Sequence, residues 1–515
     1  MFVIFLLFIF SILISLTDYE ERVKEYFKYG MLNKSEILNS LSLPEIRLII
    51  DSLIFDHIKE QREIFLDAGY IGNDLPNPYF PAKIQFNDQI YDCKIKFKGD
   101  FLDHISDPVK WSYTVKLKKN ATIFGMNKFA IQSPNTRNGF GEYVFHKFCK
   151  SLGLPYLYYD FVIVRQNNLL NGIYAIEGKF NGDFFKYNNL EEQPILRFNE
   201  TITFNHRRRV RGRAENRTDW FDWITYSSCI DCYDLKKILK DSILKRYFEL
   251  ESTKLELFRT GDLNAADVFE LNKITTFYAV SDLFGAWHAT MFPNLRYYFN
   301  NKTKLLQPIG FDALGVSSND ILFAQELKFY CDQEDFSGNR FEHKLNWFLL
   351  DLQFLKEYHQ KLNLFKNRSF LDSLININQE DFEKRKKVAE FLNFNFDQLY
   401  LNQKHIEVVL NQSGGITANL NSINNDTIII NVLNPQYLGL EILNLKNLRN
   451  EIIGFPVQNK YVFGKGKNEH SNFNFVKFVK GANIKTKGYV LDYRVIGLDK
   501  VYSEKVKQWN NYRIE

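Results

Sequence analysis

The stretch WHATMFPNLRYYF, residues 287–299, followed by LQPIGFDALG, residues 306–315, decides how the rest of the chain is read. Pro293 limits helix continuation, and the aromatic run Tyr297 to Phe299 suits a strand. The second piece is a short apolar strand that stops at Phe311 and Asp312, with Gly315 just beyond. The polar residues Asn300, Asn301 and Lys302 form the turn between them, so Asn294 and Asp312 come near one another. An Asn ahead of such a hairpin and an Asp behind it can share magnesium on nucleotide phosphates. The bland alternative is a capping Asn and a turn Asp.

Working outward, residues 18–80 read as an N-terminal helical segment. Apolar residues recur at three-four spacing from Leu41 to Phe55, and Ser42 with Glu45 would make a capping box. The prolines of residues 76–81 break it. Residues 82–86 and 91–98 then alternate as strands around an Asn87-Asp88 turn, and residues 111–118 alternate again, with Tyr113, Val115 and Leu117 on one face. Residues 126–132 are a further strand. A helix over 139–151 carries Glu142, Phe145 and His146 on one side, and a hairpin follows at 160–165 and 172–177. Strands, one helix and a hairpin, in that order, match the small lobe of a kinase-like fold, about 82–180. The larger lobe, about 181–403, reads as mostly helical. From 404 to 515 short strands at 406–410, 427–432 and 489–495 suggest a β-sandwich-like module. The fold class expected is therefore α+β: an atypical protein-kinase-like two-lobed fold over 81–403 with an added β-rich module.

The chain has 515 residues with 66 basic against 61 acidic, too even a balance to imply nucleic-acid binding globally, and no nucleic-acid partner is expected. The local run His206 to Arg213 is the exception, suited to an anion or to a solvated loop. Five cysteines form no disulfide framework. Cys229 and Cys232 are a lone CxxC, open to a local disulfide if the chain is exported. Phe2 to Leu16 is almost wholly apolar. Residues 1–17 are read as a signal peptide or a short signal-anchor that tethers the chain to a membrane by residues 2–16, with a buried helix as the third reading. The expected location is exported or membrane-anchored, with a cytoplasmic kinase domain as the alternative.

The run from Lys94 to Leu314 carries IKFKG (95–99), FGMNKFAIQ (124–132), TRN (136–138), GIYAIE (172–177), PILRFNE (194–200) and the opening stretch. In this order the set resembles the CotH-type kinase family, the spore-coat kinases and their bacterial relatives. It is most similar to a branch associated with cell-surface or polysaccharide settings. The resemblance covers somewhat under half of the chain. It implies an atypical protein-kinase-like fold that binds ATP with a divalent metal, magnesium, and spore-coat members phosphorylate protein Ser; the acceptor expected here is a surface protein or glycan. By position, Asp312 matches the retained metal-binding Asp and Asn294 the Asn ahead of the strand. Gly310 departs from the Asp-x-Asp of spore-coat members, and no Asp lies between Ala289 and Pro293.

Phosphoryl transfer needs a cation on the phosphates, a metal carboxylate and a group that orients the acceptor. Lys116 with Glu142 is the first choice for the ion pair, with Lys98 and Lys118 as rivals. Glu177 ends the hairpin where a hinge would begin, facing the nucleotide or capping the next helix. Arg296 could contact phosphate or pair with Asp312. His288 could orient the acceptor, and Asp282 could brace this loop. Phosphate-cradling loops of the Gly-x-x-x-x-Gly-Lys type, nucleophile elbows and His-Glu-x-x-His are absent from the sequence. The alternative of another class is a non-catalytic pseudokinase that scaffolds a coat or polysaccharide assembly.

Overall fold

Alternation of apolar and polar residues builds the first sheet, which closes into a barrel. In the computed structural model the described residues are 38, 40–71, 75–118, 120–199, 201, 228–290, 294–314, 348, 351–411, 415–424, 426–435, 438–462, 474–480 and 488–508. The expected leader at 1–17, the basic run at 206–213 and Cys331 lie outside them.

The barrel strands are β1 (Glu45–Ile49), β2 (Phe80–Phe86), β3 (Gln89–Phe97), β4 (Tyr113–Leu117), β5 (Lys128–Gln132), β6 (Tyr159–Gln166) and β7 (Leu169–Glu177), in spatial order β1-β2-β3-β4-β5-β7-β6. The parallel pairing of β1 with β6, Glu45 opposite Ile163, closes the ring. Ile46, Ile84, Ile95, Val115, Phe129 and Ile176 point inward and are fully enclosed. Each such side chain contributes roughly 1.5–3 kcal/mol of burial. Asn87 and Asp88 both take positive φ, 47° and 60°, the backbone of a tight hairpin turn.

Residues 45–49 correct the helical reading of 18–80. Ser42 has φ 51° in a turn and caps nothing, and Glu45 starts a strand. Helix α1 (Ser52–Ala68) begins later, where the Asp51 carboxylate accepts from Leu53 N at 3.0 Å. Pairing to β6, far along the chain, overrides the local three-four spacing.

Helix α2 (Gly141–Ser151) packs on the barrel's outer face through Phe140 and Phe161, whose rings stack at 5.5 Å. Its far side meets a helical body. A small sheet of β8 (Ile195–Phe198), β9 (Ile230–Cys232), β10 (Arg296–Asn300) and β11 (Leu305–Pro308) runs in order β11-β10-β8-β9. Around it lie α3 (Ser242–Thr260), α4 (Leu271–Phe284), α5 (Leu352–Phe365), α6 (Arg368–Ile377) and α7 (Asp397–Leu410). The Tyr358 hydroxyl donates to Asp282, tying α5 to α4. Among the described residues no helix is long and apolar enough to cross a membrane. Cys229 and Cys232 are free thiols, so the local disulfide is not formed.

The C-terminal strands are β12 (Thr417–Ile423), β13 (Thr427–Leu433), β14 (Leu440–Asn447), β15 (Ile452–Gln458), β16 (Tyr461–Val462), β17 (Asn474–Lys480), β18 (Tyr489–Val495) and β19 (Val501–Gln508). Their order is β15-β17-β13-β12-β19-β18-β14-β16, and β14 also pairs with β15. The strands thus form a second closed ring, where a two-sheet sandwich was expected. Residues 406–410 are the last turn of α7 and form no strand. A short apolar run cannot distinguish the two by its period. The ring docks on α5: His359 Nδ1 meets Ile496 O at 2.8 Å. Gly497, at φ 82°, lies where a Cβ would come within 2.8 Å of Lys356 backbone.

Candidate functional site

Strand β3 turns Lys94 and Lys96 to the barrel's outer face, and the next outward residue is Lys98. There Lys98 is buried, with Gln132, Glu177, Arg137 and Asp312 around it. Gly99 follows at φ 96°, and a Cβ on it would stand 1.8 Å from His104 Cδ2. That glycine lets the His104 ring close over the strand end.

Buried charges from five elements and turns meet at this end of the barrel. Lys98 Nζ lies 3.4 Å from Glu177 Oε1 and donates to Gln132 Oε1. Gln132 Nε2 donates to Glu177 Oε2 at 3.0 Å. Lys179 Nζ stands 3.6 Å from the same carboxylate. Arg137, at the end of the Pro134–Arg137 turn, places Nε 2.9 Å from Asp312 Oδ1 and 3.9 Å from Glu177 Oε2. His288 Nδ1 lies 3.1 Å from Asp312 Oδ1 and 3.1 Å from the Asp312 carbonyl oxygen. Asn294 Nδ2 donates to His288 O at 2.8 Å. Asp312 is in the left-handed region, φ 56°.

Burial alone would raise the Glu177 carboxyl, but Lys98, Lys179 and Arg137 outweigh it and bring it down to about 2. Asp312 is likewise held well below the usual carboxylate range: burial opposes this, and Arg137 and His288 prevail. Burial pushes Lys98 down, with Glu177 offsetting part. It takes Lys179 down to about 7 against the pull of Glu177. Burial lowers His288, and Asp312 more than reverses it, so the imidazole is raised. Burial and the charges of Lys98 and Arg137 keep His104 far below its ordinary value, hence neutral. Its Nδ1 makes no hydrogen bond among the described residues.

The residues named from the sequence divide. Lys98, Glu177, His288, Asn294 and Asp312 are brought together. Lys116 is not: it is exposed on β4 opposite Lys128. Glu142 borders the cluster without pairing to Lys116: it is enclosed, bonded to His146 Nε2 at 3.1 Å and to Ala313 N at 3.3 Å, and its charge acts on Arg137. Lys118 pairs with Asp92 at 3.4 Å on the surface. Arg296 does not reach Asp312 as a partner. Its Nε donates to Tyr233 OH at 2.7 Å, and its guanidinium lies over the Phe311 ring at 5.5 Å. Glu177 caps no helix. Gln132, Arg137, Lys179 and His104 were given no role in the sequence reading. Gln132 and Arg137 do fall inside the quoted segments 124–132 and 136–138, which was the signal to be followed.

The donor set does not fit a divalent cation as arranged. Asp312 Oδ1 already faces Arg137 and His288, and Asn294 turns its amide N–H to His288. Among the described residues no three His, Cys, Asp or Glu side chains converge as ligands, whereas magnesium takes an octahedron of oxygens. Lys98, Arg137 and Lys179, the last taken down to about 7, lie among three enclosed carboxylates, Glu142, Glu177 and Asp312, with Asp103 exposed at the rim. Lys98 and Arg137 are the groups suited to meet an anion.

No family model matches the chain, and no curated protein matches it. Among solved structures, the crystal structure of CtkA, a proinflammatory kinase of Helicobacter pylori, aligns with 66% of this chain and 94% of its own. The identity is 14% and the TM-score 0.19, a weak likeness to a kinase.

Proposed function

We propose that the cluster around Lys98, Arg137 and Asp312 binds the phosphates of ATP. On this reading the chain is a CotH-like kinase-fold protein that transfers a phosphoryl group to a protein or glycan acceptor at the cell surface. What supports it most is the convergence itself. Side chains from the end of β3, β5, the Pro134–Arg137 turn, β7 and the two ends of the 288–312 segment meet in one enclosed cluster of charges. Burying charge in this way costs stability unless something is gained, and perturbed groups gather at functional sites.

In this scheme Lys98 and Arg137 neutralise phosphate oxygens. His288, held through Nδ1 by Asp312, presents Nε2 to the acceptor hydroxyl. The acceptor oxygen forms a bond to the γ-phosphorus, the bond from that phosphorus to the β-bridging oxygen breaks, and ADP leaves. The acceptor proton passes to Nε2, so the rate should rise with pH as the raised imidazole deprotonates. No step is assigned to magnesium, because the donor set does not fit it. Export or tethering by residues 2–16 belongs to this proposal, with the cytoplasm as the alternative location.

The second reading, a non-catalytic scaffold for a coat or polysaccharide assembly, is favoured by the Arg137–Asp312 contact at 2.9 Å, which occupies the carboxylate a kinase would use. The test is the full chain with ATP: a thermal shift together with phosphate transfer to itself or to a cell-wall fraction supports the kinase. Binding without transfer supports the scaffold, and no shift removes both nucleotide readings.

A further inference from the structure

The barrel's outer face carries a charged feature that nucleotide binding does not use. Register places Lys94 on β3 directly opposite Lys116 on β4, and Lys116 directly opposite Lys128 on β5. Three ammonium groups therefore stand in one row across three strands. Lys96 lies on the same face of β3, and Lys98 comes next, so the row runs toward the buried cluster.

Like charges directly opposite on neighbouring strands destabilise a sheet, and the strain is visible here. Lys96 is lowered by burial and then by Lys128, with Asp100 opposing. Lys128 is lowered by burial, with Asp234 opposing and Lys116 adding to the fall. The nearby Asp92 carboxylate is engaged by Lys118. Lys94 and Lys116 are exposed, and Lys96 and Lys128 half-buried. Asp100 and Asp234 act on Lys96 and Lys128, while register sets Lys94 directly against Lys116.

We propose that the row seats a linear polymer of acidic sugars, and that this polymer is the acceptor, or the scaffolded partner, of the neighbouring cluster. Neighbouring strands stand about 4.8 Å apart, so the three lysine stems repeat at about the length of one sugar ring. That spacing fits a chain with one carboxylate per ring. Single-stranded nucleic acid calls for aromatic stacking platforms interleaved with cations. Register leaves nothing between Lys94, Lys116 and Lys128; beside them run Lys96, Thr114 and Ala130, and the Tyr79 ring lies against Lys96 at 5.4 Å, beside the row and not interleaved in it. The inference uses the proposed function only to name the role of the polymer; the binding itself needs no ATP.

The test is retention of the full chain by polygalacturonate, with neutral dextran and a single-stranded oligonucleotide as comparisons. The expected result is binding to polygalacturonate, none to dextran, weaker binding to the oligonucleotide, and loss on raising salt. K94Q/K116Q/K128Q should weaken binding about tenfold or more with Tm unchanged or raised, because repulsion is relieved. K94R/K116R/K128R should restore it. Should the triple Gln chain fail to fold, the exposed single change K116E carries the test, with a loss of about threefold or more. Binding unchanged in these variants, no binding by the unaltered chain, or tighter binding to the oligonucleotide overturns the proposal. Polymer binding without an ATP thermal shift removes the nucleotide reading alone; an ATP shift without polymer binding removes this inference alone.

Discussion

The chain closes a β ring twice, and the two rings treat charge in opposite ways. On the second ring Glu441 sits between Lys460, at 2.5 Å, and Arg494, at 2.8 Å, and Asp492 meets Lys446 at 2.6 Å. The basic partners there are 22% to 45% exposed. Solvent reaches the basic partner of each pair and screens it. On the first ring Lys98 and Glu177 are 7% and 3% exposed, so both partners are enclosed. The same architecture can thus carry charge as partly solvated pairs or as an enclosed cluster. Only the second arrangement needs a functional explanation.

The comparison breaks most sharply at the carboxylates. Glu177→Ala strands Lys98 and Lys179 and should cost about 3–5 kcal/mol by urea denaturation, with loss of any ATP shift. A cost under about 1 kcal/mol would mean that the cluster is solvated like its counterpart. Next in size is Gly310, two residues before Asp312. A Cβ there would meet Cys149 Sγ at 2.6 Å. Gly310→Asp should therefore destabilise by about 1–3 kcal/mol and should not increase phosphate transfer. A gain in phosphate transfer would contradict this packing argument.

pH sharpens the contrast further. Glu177 is depressed to about 2 from 4.5, so its stabilisation is complete above 4.5 and is lost as pH falls toward 2. Lys179 is lowered to about 7 from 10.5, so between those values the unfolded chain binds more protons and stability rises with pH. Lys179→Met should flatten that alkaline rise; a slope unchanged in the variant would place its origin elsewhere. The smallest effect belongs to the second ring: Lys460→Ala, at a side chain 45% exposed, should cost about 0–1 kcal/mol in the same denaturation.

Much of the first ring was legible before any coordinates. The hairpin of β2 and β3 follows from strict alternation and two turn residues able to adopt positive φ. Strand β1 was not, because Ile46 and Leu48 sit just ahead of an authentic helix and the window blended the two periods. Its partner β6 is more than a hundred residues away, and no local signal reports such pairing. In the site, Asp312, Asn294, His288, Lys98 and Glu177 were nameable from motif and strand position. Arg137 lies on a short turn without periodicity, so its reach to two carboxylates emerges only from the fold. The preferred pair of Lys116 with Glu142 failed for a register reason. Lys116 opens to solvent, whereas Lys98, just past the end of its strand, is enclosed with Gln132 and Glu177.

The central claim is that enclosed cations, unaided by a metal carboxylate cage, receive nucleotide phosphates. It is tested most directly by titrating the full chain with ATP by calorimetry, once with magnesium and once with EDTA, alongside Asp312→Asn. The account predicts binding that survives EDTA, and Asp312→Asn, which frees Arg137, should keep or tighten it. Binding only with magnesium, abolished in Asp312→Asn, would contradict it and return Asp312 to the role of a metal ligand.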